Sequence, residues 1–276
     1  MNASIYIKKE SGERAVFSEQ KYRASLRRSG ASDQLIEDVW AAVAPHMYDG
    51  MTTHELYRHT YEILHKKERK SVAGRYNLKQ AIMQLGPSGF SFEKYIAEIL
   101  KRQGYDVLVD QEVPGKCVSH EVDVVAVKAH DRFIIECKFH HEAGVYCSIQ
   151  TVLYMKARYD DIQARPHKLA YTDCWLVTNA KFSSVAIQYG ECVGMKMLAW
   201  SYPAGNSLEK IVDAQGLHPV TCLASLPKPG LAKLLQAGVV LCCDISKHRG
   251  LLSSAHLNEK KIDEIVQEAQ EICRGE

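Results

Sequence analysis

The stretch His120-Glu121-Val122-Asp123-Val124-Val125-Ala126-Val127, followed by Arg132-Phe133-Ile134-Ile135-Glu136-Cys137-Lys138-Phe139, decides the fold. Both runs are rich in β-branched and aromatic residues, and a tight turn at His130-Asp131 joins them, so they read as neighbouring strands. Side chains alternate between the faces of a strand, so Ile134, Glu136 and Lys138 share one face while Phe133, Ile135, Cys137 and Phe139 share the other. An apolar strand with a carboxylate and an ammonium on one face needs an explanation, because burying either alone costs several kcal/mol. If Asp123 lies opposite on the neighbouring strand, two carboxylates and one lysine converge. A hard divalent cation such as Mg²⁺ relieves the repulsion between two such carboxylates and lowers the pKa of a coordinated water. The competing account is a structural salt bridge of Glu136 with Lys138 or Arg132.

Outward from this pair the pattern alternates. Phe92, Tyr95, Ile96, Ile99 and Leu100 fall at helical spacing behind Ser91, a candidate cap, and Gly104 ends that helix. Tyr105–Val109 reads as a strand before the central pair. A helix over Val145–Ile162, a strand at Cys174–Thr178, a short helix near Ser183–Tyr189 and a strand at Lys196–Trp200 follow. This succession is an α/β layer architecture. Breaker clusters at Leu85-Gly86-Pro87-Ser88-Gly89 and Tyr202-Pro203-Ala204-Gly205 bound it. The chain is therefore expected to divide into residues 1–86, 87–204 and 205–276.

In the first segment Ile5-Tyr6-Ile7 and Ala15-Val16-Phe17 flank Ser11-Gly12 and read as a hairpin. Helices are expected near Glu19–Arg28, Ser32–Ala44, Thr52–His65 and Val72–Met83, a hairpin on a small bundle. The third segment is helical around Leu208–Asp213, Gly230–Ala237 and Asn258–Cys273. It reads as a cap on the α/β layer, with a possible DNA contact near Pro227-Lys228-Pro229-Gly230.

Composition excludes several classes. With 276 residues, 46% hydrophobic and 25% charged, this is neither a collagen nor a disordered chain. No apolar run approaches the length of a membrane span, and the first residues lack an apolar leader, so a cytoplasmic protein without a membrane partner is expected. The nine cysteines contain no Cys-x-x-Cys pair, which excludes a zinc finger and favours reduced thiols. The first segment carries 14 Lys/Arg against 10 Asp/Glu, while each later segment is one net negative, so no segment binds nucleic acid by bulk charge. Contact with DNA must use a local patch or a metal. Self-association is left open.

The middle segment resembles the PD-(D/E)xK nucleases, in particular the Mrr-like restriction endonucleases, over about Pro87–Pro203. Asp123 corresponds to that family's metal-binding aspartate and Glu136-Cys137-Lys138 to its (D/E)-x-K, with Val122 where the superfamily's proline would stand. Gln150-Thr151-Val152-Leu153-Tyr154 is similar to its Gln-x-x-x-Tyr element, and the helix beginning Phe90-Ser91-Phe92-Glu93 to the one that supplies a further acid. The resemblance implies a DNA endonuclease dependent on Mg²⁺ or Mn²⁺, with Asp123, Glu136 and Glu93 toward the metal, Lys138 activating water and Gln150 assisting. Glu93 is explained equally well as an acid at a helix N-terminus.

The first segment, through Tyr6-Ile7-Lys8-Lys9-Glu10-Ser11-Gly12, Phe17, Lys21, Tyr48-Asp49-Gly50-Met51-Thr52-Thr53 and Val72-Ala73-Gly74-Arg75-Tyr76, resembles an ATP-cone. That resemblance implies a regulatory site for a purine nucleoside triphosphate, ATP or dATP. Lys8, Lys9 and Lys21 would meet the phosphates, Thr53 a phosphate or ribose, and Tyr57 the base. Charge alone favours a solvated face for these lysines. No Walker A pattern exists, so the nucleotide reads as a regulator and not a fuel. Two other functions stay open: a nucleotide-sensing DNA-binding regulator with a vestigial nuclease site, and a structure-selective junction or repair nuclease.

Overall fold

The central strands form as their composition dictates, within a chain that runs β1 (Tyr6–Lys8), β2 (Arg14–Val16), α1 (Glu19–Arg28), α2 (Asp33–Val43), α3 (Thr53–Lys66), α4 (Lys70–Tyr76), α5 (Leu78–Met83) and α6 (Phe90–Arg102). It continues through β3 (Asp106–Pro114), β4 (Ser119–Lys128), β5 (Asp131–Lys138), β6 (Tyr146–Cys147), α7 (Ile149–Gln163), β7 (Asp173–Thr178), β8 (Lys181–Phe182), α8 (Ser184–Cys192) and β9 (Lys196–Leu198). The last part holds α9 (Leu208–Gln215), α10 (Lys228–Gln236), α11 (Arg249–Ser254) and α12 (Glu259–Cys273). This is a computed structural model, and it describes residues 5–66, 70–85, 90–166 and 170–274. The expected breaker at Gly86–Gly89 and most of the Lys66–Lys70 run lie outside the described residues.

Five strands make one mixed sheet in the order β3-β4-β5-β7-β9. The β3/β4 and β4/β5 pairs are antiparallel, and β5/β7 and β7/β9 are parallel. On one face Val125, Ile134 and Leu176 pack against Val152, Met155 and Ile162 of α7 and Ala186 of α8. The opposite face carries Trp175 and Val177, which with Ile96, Ile99 and Leu100 of α6 line a cavity of about 330 Å³. Both faces are covered, as the continuous apolar runs in β4 and β5 require.

Several boundaries differ from expectation. The helix α6 starts at Phe90, which puts Ser91 inside the first turn instead of at the cap. The helix expected from Val145 begins only at Ile149, because Tyr146-Cys147 pair in parallel with Lys181-Phe182 as a separate two-stranded ribbon. The helix expected over Val72–Met83 is divided at Asn77 into α4 and α5.

The chain forms two compact units, Ile82–Val212 on one hand and Met1–Ala81 with Asp213–Glu276 on the other. The third segment, expected as a cap on the α/β layer, is from Asp213 onward instead part of the unit built on the N-terminal helices. In that unit Leu26, Ile36, Val39, Leu64 and Ala73 are fully buried. The Arg75 guanidinium donates to the carbonyls of Ile272, Glu271 and Arg274 and so terminates α12. The buried Glu268 carboxylate accepts the N–H groups of Ala224 and Ser225 at 2.8 and 2.9 Å. A Cβ on Gly74 would meet the Cys222 carbonyl oxygen and the Ile272 Cδ1 at 2.8 Å each, so α4 approaches the C-terminal segment as closely as only glycine permits.

No disulfide links the nine cysteines; Cys137, Cys147, Cys174, Cys222 and Cys242 are buried and Cys117 and Cys192 exposed. Among the described residues no helix is long and apolar enough to cross a membrane.

Candidate active site

The β4/β5 ladder pairs Lys128↔Asp131 through Val124↔Ile135, and the same register one step further sets Asp123 opposite Glu136. Regular pairing stops there. On the other side of β4 the ladder with β3 is also interrupted, between Val109↔Val124 and Gln111↔Val122. The cause is Asp110, whose φ of 56° is a left-handed conformation that aspartate tolerates better than most residues. With the ladder opened on both sides, the Asp123 carboxylate turns to the β5 backbone and accepts the Cys137 N–H at 2.7 Å.

The carboxylates around this point crowd one another. Burial first, and then the charges of Glu136 and Glu93, push Asp123 up to about 7, against the opposing pull of the Cys137 N–H. Burial likewise raises Glu93, with Asp110, Glu136 and Glu121 adding to it. Glu93, Asp123 and Glu136 therefore share one electrostatic environment, although they come from α6, β4 and β5.

Lys138 is exposed at the end of β5. Its backbone is fixed: Thr178 Oγ1 donates to the Lys138 carbonyl at 2.7 Å, and the Asn179 side chain clasps His140 through both its N–H (2.8 Å) and its C=O (2.9 Å). Gln150 sits exposed in the first turn of α7. Sequence reasoning missed the residue that contacts Glu136 most directly. The ion pair of Glu136 is with Arg158 Nη1 on α7, and Arg158 Nη2 donates to Tyr154 Oη at 3.2 Å. The spacing Gln150, Tyr154, Arg158 is one residue per helical turn on one face, a signal legible in the sequence.

Among the described residues no three His, Cys, Asp or Glu side chains converge as a ready metal cage. The donor set nevertheless suits a hard divalent cation. Mg²⁺ takes one or two carboxylates and fills its remaining positions with water and phosphate, and a carboxylate driven toward protonation by burial and by its acidic neighbours is one whose charge a cation neutralises.

The N-terminal residues singled out by sequence fall into two groups. The Lys8 N–H donates to the Met51 carbonyl at 2.9 Å and Lys8 bridges Thr52, so the hairpin lies beside the N-terminus of α3 where Thr53 begins. Thr52 and Glu55 form a reciprocal capping box there, with the Glu55 carboxylate accepting the Thr52 N–H at 2.8 Å and Thr52 Oγ1 accepting the Glu55 N–H at 3.1 Å. Lys9 pairs with Glu13 at 3.0 Å, and Lys21 is exposed in the first turn of α1. Tyr57 has other partners: its hydroxyl donates to Asn77 Oδ1 and its ring stacks on Tyr76 at 5.5 Å.

Comparison with known proteins agrees with the α/β sheet. Residues 86–201, which contain Glu93, Asp123, Glu136, Lys138, Gln150 and Arg158, match the family described as Restriction endonuclease, and residues 218–273 match the family described as AF1548-like, C-terminal. An uncharacterized protein of Archaeoglobus fulgidus is 36% identical over 178 residues, covering 64% of this chain and 99% of that protein. The crystal structure of AF1548, a protein of unknown function, aligns with a TM-score of 0.57 and 34% identity over 68% of this chain and the whole of that one. The chain thus belongs to the AF1548-like family, carrying a restriction-endonuclease-like domain ahead of the family's C-terminal domain.

Proposed function

We propose that the protein is a metal-dependent DNA endonuclease whose active site is the Asp123–Glu136–Lys138 group. The observation that carries this reading is a half-buried aspartate, pushed up to about 7 by burial and by the charges of two further carboxylates, at the point where both sheet ladders open. A bound Mg²⁺ or Mn²⁺ would supply positive charge to the scissile phosphate and acidify a water. Asp123 and Glu136 would hold it, with Glu93 contributing through water. Lys138, exposed on a strand end that Thr178 and Asn179 immobilise, would orient the attacking water and take its proton. Gln150 would contact the DNA strand from the first turn of α7.

The same reading makes the N-terminal module an ATP-cone that regulates the nuclease through ATP or dATP. Support comes from the hairpin lysines Lys8 and Lys9 beside the start of α3, with Thr53 in its first turn. Both family matches lie beyond residue 85, so this assignment rests on the motif residues and this local arrangement.

A second reading, a nucleotide-sensing DNA-binding regulator with a vestigial site, is favoured by the Arg158–Glu136 ion pair, which already neutralises one carboxylate. Incubating supercoiled, linear and branched DNA with the protein and Mn²⁺ separates the two. Metal-dependent nicking that disappears in Asp123→Ala and Lys138→Ala supports the nuclease; cleavage persisting undiminished in both variants refutes the site. Preference among the three substrates decides between a general and a junction-selective enzyme. Calorimetric titration with ATP and dATP tests the module: no heat and no thermal shift removes the regulatory assignment.

A further inference from the structure

Arg158 is held in an incomplete set of contacts. Its side chain is 11% exposed and that of Glu136 19%, so the ion pair is largely withdrawn from water. A guanidinium presents five N–H donors in a rigid fork suited to two-point recognition of carboxylate or phosphate. Here the fork is divided: Nη1 goes to Glu136, Nη2 to the Tyr154 hydroxyl, and the buried Nε has no hydrogen-bond partner among the described residues. The guanidinium also lies 4.9 Å over the Tyr154 ring, and Tyr154 itself is 60% exposed. The arm therefore runs from a withdrawn carboxylate to the surface of α7.

A divalent cation and a guanidinium compete for the same carboxylate and repel each other. We propose that Arg158 is a displaceable counterion for Glu136: it neutralises the carboxylate before metal arrives, yields to the divalent cation, and then offers its freed fork to a DNA phosphate. This rests on the metal-dependent nuclease reading and adds to it the order in which cations occupy the site. Arg158 acts on the metal through Glu136, so toward the metal it is a positioning residue. The charge it releases would couple metal loading to DNA binding, since a guanidinium freed from one anion becomes available to another.

The consequence is a pair of effects with opposite signs, which a merely structural role does not produce. Calorimetric titration with Mn²⁺, without DNA, on wild type and Arg158→Gln is expected to show the variant binding about tenfold more tightly, because the competing charge is gone. In a Lys138→Ala background, which slows cleavage, Mn²⁺ is expected to strengthen binding of a short DNA duplex to the Arg158 protein, and about tenfold of that gain is expected to be lost in Arg158→Gln. Tyr154→Phe, a change at an exposed side chain, removes only the hydroxyl that holds Nη2 and is expected to tighten Mn²⁺ about threefold. That variant keeps the test available should Arg158→Gln not fold. Equal or weaker Mn²⁺ binding in the folded variants overturns the counterion role and leaves the metal centre standing. Absence of Mn²⁺ binding in wild type and variants alike overturns the metal centre, and the counterion role with it.

Discussion

Asp123→Asn should stabilise the protein in the absence of metal, although it removes a residue placed at the centre of the proposed chemistry. The carboxylate goes from 3.8, its ordinary value, to about 7 in the folded chain, chiefly through burial and then through Glu136 and Glu93. At 1.36 kcal/mol per tenfold change in proton affinity, holding it ionised costs about 4 kcal/mol of folding free energy. Below pH 4 both folded and unfolded chains carry the proton and the cost vanishes. Between pH 4 and 7 the unfolded chain ionises first, so wild-type stability falls as pH rises; above 7 the loss is complete. Asparagine keeps an acceptor for the Cys137 N–H and has no proton to lose. Urea unfolding followed by tryptophan fluorescence, with Trp175 in β7 as a reporter within the sheet, should give matching curves near pH 4. At pH 8 the variant should be more stable by about 4 kcal/mol. Saturating Mn²⁺ should close that gap by stabilising the wild type alone. A gap that is absent at pH 8, or present and equal at pH 4, refutes the argument that burial and its acidic neighbours raise Asp123.

Three further outcomes follow from named contacts. Lys138→Ala should lower cleavage by about 10²-fold or more while leaving Mn²⁺ affinity unchanged, read by plasmid nicking beside calorimetry. Asp161 on α7 accepts from His120 Nε2 at 2.8 Å and from the N–H groups of Cys117 and Val118, and the His120 bond above all holds it below the usual carboxylate range. Its depressed pKa contributes stability that is present above the ordinary carboxylate range and lost as pH falls through the folded value. Asp161→Asn should therefore lower the thermal midpoint at pH 7, by a margin that narrows as pH drops below 4. Gly74→Ala should destabilise the unit containing α4 and α12 by about 1–3 kcal/mol, measured by urea unfolding, because the new methyl meets a backbone carbonyl that cannot move aside.

The central layer was legible because it obeys local rules. The β-branched and aromatic runs Glu121–Val127 and Arg132–Phe139 announce both strands and the tight turn between them their pairing, and the helical spacing of Phe92, Tyr95, Ile96 and Ile99 announces α6. What stayed hidden depends on partners distant in sequence. The strand β6 exists only because Lys181-Phe182 pair with it, and no local pattern announces that. Helical spacing places Arg158 on the face of Gln150 and Tyr154, but its partner appears only when Glu136, 22 residues earlier, is brought beside it. Gly74 and Arg75 lie in a stretch that resembles an ATP-cone motif, and their contacts are with Cys222 and the end of α12, nearly 200 residues away in the case of Arg75. Length of separation, not weakness of the contact, is what concealed them.

The clasp of Arg75 on the last turn of α12 bears on how the chain is made. The helix α4 is synthesised long before its partner α12, whereas the sheet encoded between them has all its strands by Leu198. Synthesis at about 5–20 residues per second leaves the early helices waiting for seconds, with the surface that will receive α12 uncovered. A chain stalled before α12 would therefore carry a sheet with all its strands while the N-terminal helices still lacked the helix they pack on.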